Sequence, residues 1–290
     1  MKYGFIGLGS LGTPIAVNLL ESGHQLHLYN RTLSKAKALE SKGAIVCDTI
    51  AALAQQCDIV FTMVADDAAL KAITTGSDGL LQHEKPGAIH VSMSTILAQT
   101  AGELAALHTA KGQHYLAAPV FGRPEAAAAR KLNYVISGHA ALREQITPLL
   151  KEAGGAGVWD FGDDILTANT VKITGNFLIA SALEAIGESI FLAKQSGVDP
   201  QKMWDMFGQT IFNAPIYQNY SKIILNQQFE PAAFTAKLGL KDLNLVLQQG
   251  SLSKQEMPLA ELMKKHMENL VQTGRESIDW SAVSLGGQKI

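Results

Sequence analysis

The sequence has few of the residues that mark secreted, metal-binding or hydrolytic proteins. Only two of its 290 residues are cysteines, Cys47 and Cys57, and they form no C-x-x-C pair. We therefore expect buried thiols rather than a disulfide framework. The eight histidines lack the spacing of metal ligands, so we predict no metal site. No G-x-S-x-G motif is present, which disfavours an α/β-hydrolase.

Charge is also sparse, and neither sign dominates. Charged residues make up 17% of the chain and the formal net charge is −2, so we expect no surface for nucleic acid. The most apolar long stretch, Asn176–Ala193, contains Glu184 and Glu188, which argues against a simple membrane span. The chain runs directly into a strand pattern. We predict no signal peptide and a cytoplasmic protein.

The start of the chain has a nucleotide-binding pattern. Tyr3–Ile6 is an apolar run typical of a buried parallel strand, and helical spacing over Pro14–Ser22 leads to a second extended run, His24–Tyr29. Between strand and helix, a G-x-G-x-x-G sequence is formed by Gly7, Leu8, Gly9, Ser10, Leu11 and Gly12. We predict that a pyrophosphate binds the free N–H groups there, the alternative being a purely structural turn.

The second strand ends in residues that bear on the choice of cofactor. An NAD site usually places an acid here to bind the ribose 2′-hydroxyl. This chain has Asn30, Arg31 and Thr32 instead. A guanidinium can bind a 2′-phosphate through two hydrogen bonds, so we predict NADPH/NADP+ rather than NAD. The alternative is that Arg31 is only a solvated residue after a strand.

Short apolar runs alternate with helical patterns over the first half of the chain, which predicts a doubly wound, mostly parallel Rossmann-type α/β sheet. The predicted strands are Tyr3–Ile6, His24–Tyr29, Ala44–Val46, Asp58–Val64, Ala88–Ser92, Tyr115–Ala118 and Asn133–Ser137. Helical spacing alone follows, beginning with one long helix over Asp164–Gln195. We predict a nucleotide-binding domain over 1–163 and an all-helical domain over 164–290.

Lys172 and Asn176 are candidates for catalysis. They are four residues apart on the predicted long helix and therefore share a face. A lysine among so many apolar neighbours is unusual unless it is paired or functional. Beside a cofactor, Lys172 could donate a proton to a carbonyl oxygen while the nicotinamide delivers hydride. The alternative is a lysine that extends its ammonium to solvent at a helix edge.

Three further segments contain groups that could bind a substrate. Ser94 and Thr95 lie between a strand and a helix, where they either cap the helix or bind a carboxylate. Arg123 lies in a loop after a strand, and either binds a carboxylate or faces solvent. Lys241 and Asp242 precede an apolar run and are either a surface ion pair or part of the site.

Together these segments resemble the β-hydroxyacid dehydrogenases, which include 3-hydroxyisobutyrate dehydrogenases and NADPH-dependent glyoxylate/succinic semialdehyde reductases. The first domain also resembles that of 6-phosphogluconate dehydrogenase. The resemblance rests on the segment GFIGLGSLGTPIAVNLLESGHQLHLYNRT, on SMST at Ser92–Thr95, on APVFGRPEAAAARKL at Ala118–Leu132, on NTVKITGN at Asn169–Asn176 and on GLKDLNLVL at Gly239–Leu247.

This resemblance implies a role for each candidate. Lys172 would be the general acid/base and Asn176 its partner in substrate binding. The cofactor would contact the glycine turn, residues 30–32 and also Val64, Ala65, Asp66, Thr95 and Lys241. The substrate would contact Ser94, Thr95, Phe121, Gly122, Arg123 and Asp242. The family is metal-free, and its helical domains commonly pair, so we expect a homodimer or a higher homo-oligomer.

The sequence departs from the family pattern in one substrate-binding segment. Where the family often has Asp-Ala-Pro-Val-Ser-Gly-Gly, residues 117–123 read Ala-Ala-Pro-Val-Phe-Gly-Arg, which places Phe121 at the serine position. A bulky ring narrows the pocket and removes a hydroxyl. The leading prediction is an NADP(H)-dependent oxidoreductase of a small aldehyde, keto acid or 3-hydroxy acid. The alternatives are a reductase of a bulkier carbonyl or imine, and a non-catalytic NADPH-binding protein.

Overall fold

The computed structural model describes residues 1–287 and divides into two compact units. The first is Met1–Lys172 and the second begins at Ile173. The division falls within the long helix predicted from the sequence, because Ala168 and Val171 on its first turns pack with apolar residues of the first unit.

The first unit is built on a six-stranded parallel sheet with the order β3-β2-β1-β4-β5-β6. The strands are β1 (Tyr3–Ile6), β2 (Leu26–Tyr29), β3 (Ile45–Val46), β4 (Ile59–Thr62), β5 (Ile89–Ser92) and β6 (His114–Ala117). The chain moves outward from β1 in one direction and then, from β4, in the other. The loops after β1 and β4 therefore border the crevice where this fold binds nucleotides. The structure confirms the predicted fold class.

Helices cover both faces of the sheet because successive strand residues point to opposite sides and both sets are apolar. Phe5 packs in one core cluster and Ile6 in another, and both side chains are almost fully buried. The helices of this unit before the long one are α1 (Gly12–Glu21), α2 (Leu33–Lys37), α3 (Ile50–Ala54), α4 (Asp67–Thr75), α5 (Leu80–His83), α6 (Ala98–Ala110), α7 (Pro124–Ala128) and α8 (Ala140–Glu152), with a 3₁₀ turn at Glu40–Lys42.

A second, three-stranded sheet was not predicted from the sequence. It contains β7 (Val120–Phe121), β8 (Leu132–Ile136) and β9 (Gly155–Asp160), in that order, with β7 antiparallel and β9 parallel to β8. The sequence indicated only the segment of β8. β7 is too short to show a pattern, and β9 is glycine-rich and partly exposed without regular alternation.

The second unit is helical over its described residues, which confirms the predicted helical C-terminal region. Its helices are α9 (Thr167–Gln195, which begins in the first unit), α10 (Pro200–Gln209), α11 (Pro215–Leu225), α12 (Ala236–Leu252) and α13 (Pro258–Gln272), followed by a 3₁₀ helix at Trp280–Gly287. Of the helices in residues 1–287, α9 alone is long and apolar enough to span a membrane by length and composition. Of its most apolar window, 44% is buried inside the protein.

Candidate active site

Only glycine fits at two positions of the turn between β1 and α1, and the space around the third glycine is empty. Gly7 has a φ of +102°, and a Cβ atom there would lie 2.2 Å from the Met63 carbonyl oxygen. A Cβ at Gly12 would lie 2.0 Å from the Gly7 carbonyl oxygen. Gly9 is exposed, and a Cβ there would meet no atom within 4 Å. The apex of the turn is therefore open to a ligand that approaches the backbone.

The glycine turn at the start of α1 offers backbone donors to such a ligand. Its N-cap residue, Leu11, provides no side-chain hydrogen bond to the first N–H groups, and Ser10 is exposed beside it. The Thr13 N–H already donates to the Gly9 carbonyl oxygen at 3.0 Å and Pro14 has no N–H, so the donors that suit a pyrophosphate are those of the glycine turn itself, beside the positive end of the helix dipole. The turn therefore fits a dinucleotide by its shape and by its chemistry.

Asn30 joins the glycine turn to the end of β2. Its Oδ1 accepts a hydrogen bond from the Leu8 N–H at 2.9 Å, and its Nδ2 donates to the Thr32 carbonyl oxygen at 2.9 Å. Arg31, between them, is exposed and forms no ion pair within residues 1–287. A guanidinium without an acidic partner is thus available at the position where an NAD site usually has an acid.

Two hydrogen bonds connect the loops that follow β4 and β5. The Val64 N–H donates to Ser94 Oγ at 2.9 Å, and the Leu97 N–H donates to Asp67 Oδ1 at 3.0 Å. Ser94 is buried, so its hydroxyl positions a loop. The resemblance to the family implies that Asp67 borders the cofactor, but no sequence pattern indicates its bond to Leu97, because an acid in the first turn of a helix is common.

The remaining predicted residues of these loops have different surroundings. Asp66 caps α4 by accepting the Ala69 N–H at 2.8 Å. Ala65 is exposed and Thr95 is half-buried. The structure thus places a helix-capping acid on the loop after β4 and a partly accessible hydroxyl on the loop after β5.

The segment after β6 brings an aromatic ring and a guanidinium to the same strand end. Phe121 ends β7 and is half-buried. Gly122 has a φ of +142°, and a Cβ there would lie 2.4 Å from Leu132 Cδ2, so glycine is required. The Arg123 side chain is 30% exposed, and its Nε lies 3.9 Å from Glu125 Oε2, a weak surface ion pair.

Lys172 is nearly enclosed. It is 7% exposed, and its Nζ lies 4.1 Å from the centroid of the Phe121 ring. An ammonium at this distance is attracted by the negative potential of a ring face. Because the side chain is buried, it does not behave as a lysine that extends to solvent from a helix edge.

In the second unit, three of the predicted residues form a connected group. Asn176 Nδ2 donates to Asp242 Oδ2 at 2.5 Å, and Lys241 Nζ lies 2.6 Å from Asp242 Oδ1. Asn176 and Asp242 are buried, so this is no surface ion pair. Lys172 precedes Asn176 by one turn of α9. Within residues 1–287 no cluster of three or more His, Cys, Asp or Glu side chains could hold a metal ion.

Family profiles match both parts of the chain. The NAD-binding domain of 6-phosphogluconate dehydrogenase matches residues 2–163, and the NAD-binding domain of NADP-dependent 3-hydroxyisobutyrate dehydrogenase matches residues 167–284. The chain belongs to the β-hydroxyacid dehydrogenase family. The resemblance inferred from the sequence is thereby confirmed.

Individual relatives extend over the whole chain. An uncharacterised oxidoreductase of Bacillus subtilis, YfjR, is 43% identical over 283 residues and 98% of each chain. The 2-hydroxy-3-oxopropionate reductase of Escherichia coli is 30% identical over 286 residues, 98% of this chain and 96% of its own. The solved structure of Psf3 in complex with NADP+ and 2-OPP has a TM-score of 0.88 at 27% identity, with 99% and 100% of the two chains covered. These β-hydroxyacid dehydrogenase relatives identify an NAD(P)-binding oxidoreductase that acts on CH–OH groups.

Proposed function

We propose that this protein is an NADPH-dependent reductase of a small aldehyde or keto acid, or catalyses the reverse oxidation of a hydroxy acid, with Lys172 as the general acid/base. The observation that carries the proposal is the enclosed ammonium of Lys172 over the Phe121 ring. A lysine is buried at a cost, which a function in proton transfer explains. The similarity to 2-hydroxy-3-oxopropionate reductase supports a small carboxylated carbonyl compound as substrate.

Each residue has a defined task in the proposed reaction. Bound NADPH supplies the hydride that reduces the carbonyl carbon. Lys172 Nζ donates a proton to the carbonyl oxygen, which becomes the hydroxyl of the product, and the neutral amine then takes up a proton from solvent. Asn176, held by its hydrogen bond to Asp242, orients the substrate oxygen. Thr95 and the Arg123 guanidinium bind the carboxylate.

The preference for NADPH is assigned to Arg31. Its exposed guanidinium follows Asn30, whose side chain fixes the glycine turn to this loop. We expect Arg31→Ala to lower kcat/KM for NADPH by roughly tenfold to a hundredfold, because about 1.5–3 kcal/mol is typical of a hydrogen bond to a charged group. The value for NADH should change little. Lys35→Ala removes an exposed charge nearby and is the matched control. Equal losses with both cofactors would contradict this role.

The decisive test is NADPH consumption across a panel of glyoxylate, succinic semialdehyde, 2-hydroxy-3-oxopropionate, an apolar aldehyde and a cyclic imine. Lys172→Ala should lower turnover of the preferred substrate by about 10²–10⁴-fold, the usual contribution of general acid catalysis. NADPH binding, followed by fluorescence, should be retained. Lys194→Ala changes an exposed lysine on the same helix and should leave turnover unchanged.

Three outcomes would contradict parts of the proposal. Near-normal turnover by Lys172→Ala would remove its catalytic role. Turnover of the apolar aldehyde or the imine alone would favour the second candidate, a reductase of bulkier substrates, which is suggested by Phe121 at a position where the family often has serine. Binding of NADPH without turnover of any panel member would favour a non-catalytic protein.

We assign homodimerisation to the helical unit. Leu178 and Leu192 lie on one face of α9 and are 62% and 69% exposed, and Ala185 is exposed between them. Such apolar residues on an exposed face are typical of an association surface. Light scattering should show at least a dimer, and Leu178→Asp should dissociate it. A monomeric wild-type protein would contradict the assignment. Cytoplasmic location stays a prediction.

A further inference from the structure

The contact between Lys172 and Phe121 joins two elements, β7 and α9, that also have other contacts to hold them in place. Phe121 pairs with Asn133 in the register of β7 and β8, and its ring packs against the apolar cluster that contains Ala168. The required glycine conformation at Gly122 fixes the chain on its other side. The ring therefore has little freedom to move away from its position.

The lysine is anchored from the other direction. Ser137 Oγ donates to the Ile165 carbonyl oxygen at 3.1 Å and accepts the Ala168 N–H at 3.1 Å, which ties the start of α9 to the end of β8. Val171 packs in the same cluster as Phe121. The Lys172 backbone and the Phe121 ring are thus held in one core. This packing places Nζ 4.1 Å from the centroid of the ring.

An aromatic ring acts on an ammonium in a way that a small polar side chain cannot. The face of the ring attracts the charged ammonium and has no comparable attraction for the neutral amine. The attraction is stronger in a site with little water, where the charge has lost hydration. A ring also restricts the long and flexible side chain to fewer rotamers. An acid that must be charged and fixed before the reaction benefits from both effects.

We propose that Phe121 is a positioning residue whose ring face holds the Lys172 ammonium in its charged form and in a fixed orientation before proton transfer. This inference rests on the proposed function of Lys172 as the general acid. It assigns to Phe121 a task besides narrowing the pocket. The substrate carboxylate is assigned to Thr95 and Arg123, so loss of the ring should lower kcat more than it raises KM.

The test compares Phe121→Leu, which keeps an apolar side chain without a ring face, with Phe121→Tyr, which keeps the face. Phe121→Leu should lower kcat for the fastest panel substrate by roughly fivefold to thirtyfold, the range of a cation–π contact in a partly desolvated site. KM should change little, and Phe121→Tyr should restore most of kcat. Phe161→Leu, the same change at an exposed ring, is the matched control.

A second measurement needs no substrate. Acetic anhydride reacts with the neutral amine, so competitive acetylation followed by mass spectrometry reports how well Lys172 is held in its charged form, with the exposed Lys194 as internal standard. Relative labelling of Lys172 should rise about fivefold in Phe121→Leu and stay near the wild-type value in Phe121→Tyr.

The two measurements separate the failure of this inference from the failure of the proposed function. Unchanged labelling in Phe121→Leu would overturn the inference, whatever the activity. Raised labelling with unchanged kcat would also overturn it, because the contact would then have no part in turnover. Near-normal turnover by Lys172→Ala would overturn the proposed function and with it this inference. Loss of the cooperative thermal transition in Phe121→Leu but not in Phe121→Tyr would assign the ring to folding, which also overturns it.

Discussion

Each unit of the protein buries a glutamate beside a histidine, and the two pairs behave differently. In the first unit, Glu84 Oε2 lies 3.8 Å from His108 Nε2, too far for a hydrogen bond. In the second unit, Glu184 Oε1 lies 2.9 Å from His266 Nδ1 and forms one. The residue types are the same, and in the first unit the other hydrogen bonds of the histidine account for the difference.

A chain of hydrogen bonds fixes the tautomers in the first unit. His108 Nδ1 donates to the Leu104 carbonyl oxygen at 2.7 Å, because a carbonyl can only accept. In the neutral ring His108 Nε2 is therefore an acceptor, and it receives the Nδ1 proton of His90 at 3.2 Å. His90 Nε2 then accepts from the Thr62 hydroxyl at 2.8 Å. Neutral His108 has no proton to offer to Glu84.

The charge states follow from this geometry. Burial raises the pKa of Glu84 to about 8 and lowers the pKa of His108 to about 4, so both are predominantly neutral near pH 7. Burial, followed by the neighbouring His108, also lowers the pKa of His90. In the second unit, burial raises the pKa of Glu184 while His266 opposes this shift by its charge and its hydrogen bond. His266 thus offsets part of the effect of burial on Glu184, whereas Glu84 receives no such hydrogen bond from His108.

The largest expected effect comes from breaking the hydrogen-bonded pair. His266→Leu should lower the free energy of unfolding by about 3 kcal/mol, because it leaves Glu184 buried without its donor. Urea denaturation followed by tryptophan fluorescence measures it, since Trp204 and Trp280 are buried in the second unit. The double variant Glu184→Leu/His266→Leu should cost less than the sum of the single changes. Additive costs would mean that the pair is not coupled.

The buried pair of Glu84 and His108 should determine how the free energy of unfolding changes with pH. The folded pKa of Glu84 lies above its unfolded value of 4.5, so its contribution is complete below pH 4.5 and is lost as the pH rises toward 8. The lowered pKa of His108 acts in the opposite sense, with stability lost as the pH falls from 6.5 toward 4. Between pH 6.5 and 8 only Glu84 of these two groups changes its charge. The free energy of unfolding should fall by about 2 kcal/mol over this range.

Glu84→Gln tests this assignment, because it removes the group that titrates. Denaturation followed by circular dichroism should show a flat dependence between pH 6.5 and 8 in the variant and a decline in the wild type. Glu144→Gln, at an exposed position on α8, is the matched control and should retain the decline. A decline that persists in Glu84→Gln would assign it to another group.

The smallest expected effect concerns the hydroxyl that begins the hydrogen-bonded chain. Thr62→Val should lower the free energy of unfolding by about 1–2 kcal/mol, because His90 Nε2 would lose its donor in a buried site. Thr74→Val makes the same change where the buried hydroxyl has no hydrogen-bond partner, and it should be neutral or slightly stabilising. Equal effects of the two changes, measured by chemical denaturation, would show that the hydroxyl of Thr62 does not stabilise the chain.

The sequence by itself determined the parts of this protein that depend on local pattern. Alternating apolar runs and helical spacing predicted the parallel sheet and the helical C-terminal region. The glycines at Gly7 and Gly12 could be recognised because a left-handed φ and a close backbone approach exclude any side chain. The absence of an acid after β2 was equally local, and the family profiles confirm an NAD(P)-binding domain. Strands with weak patterns, β7 and β9, were missed for the same reason.

Only the tertiary structure decided which side chains meet. Asn176 and Asp242 are 66 residues apart in sequence, and no pattern indicates their hydrogen bond. The approach of Lys172 to the Phe121 ring depends on how α9 is anchored to β8. The protonation state of Glu84 depends on His108, whose N–H group donates its hydrogen bond to the Leu104 carbonyl oxygen and not to Glu84. Such contacts arise from packing between distant segments, and burial, which makes each of them energetically important, is a property of the folded chain alone.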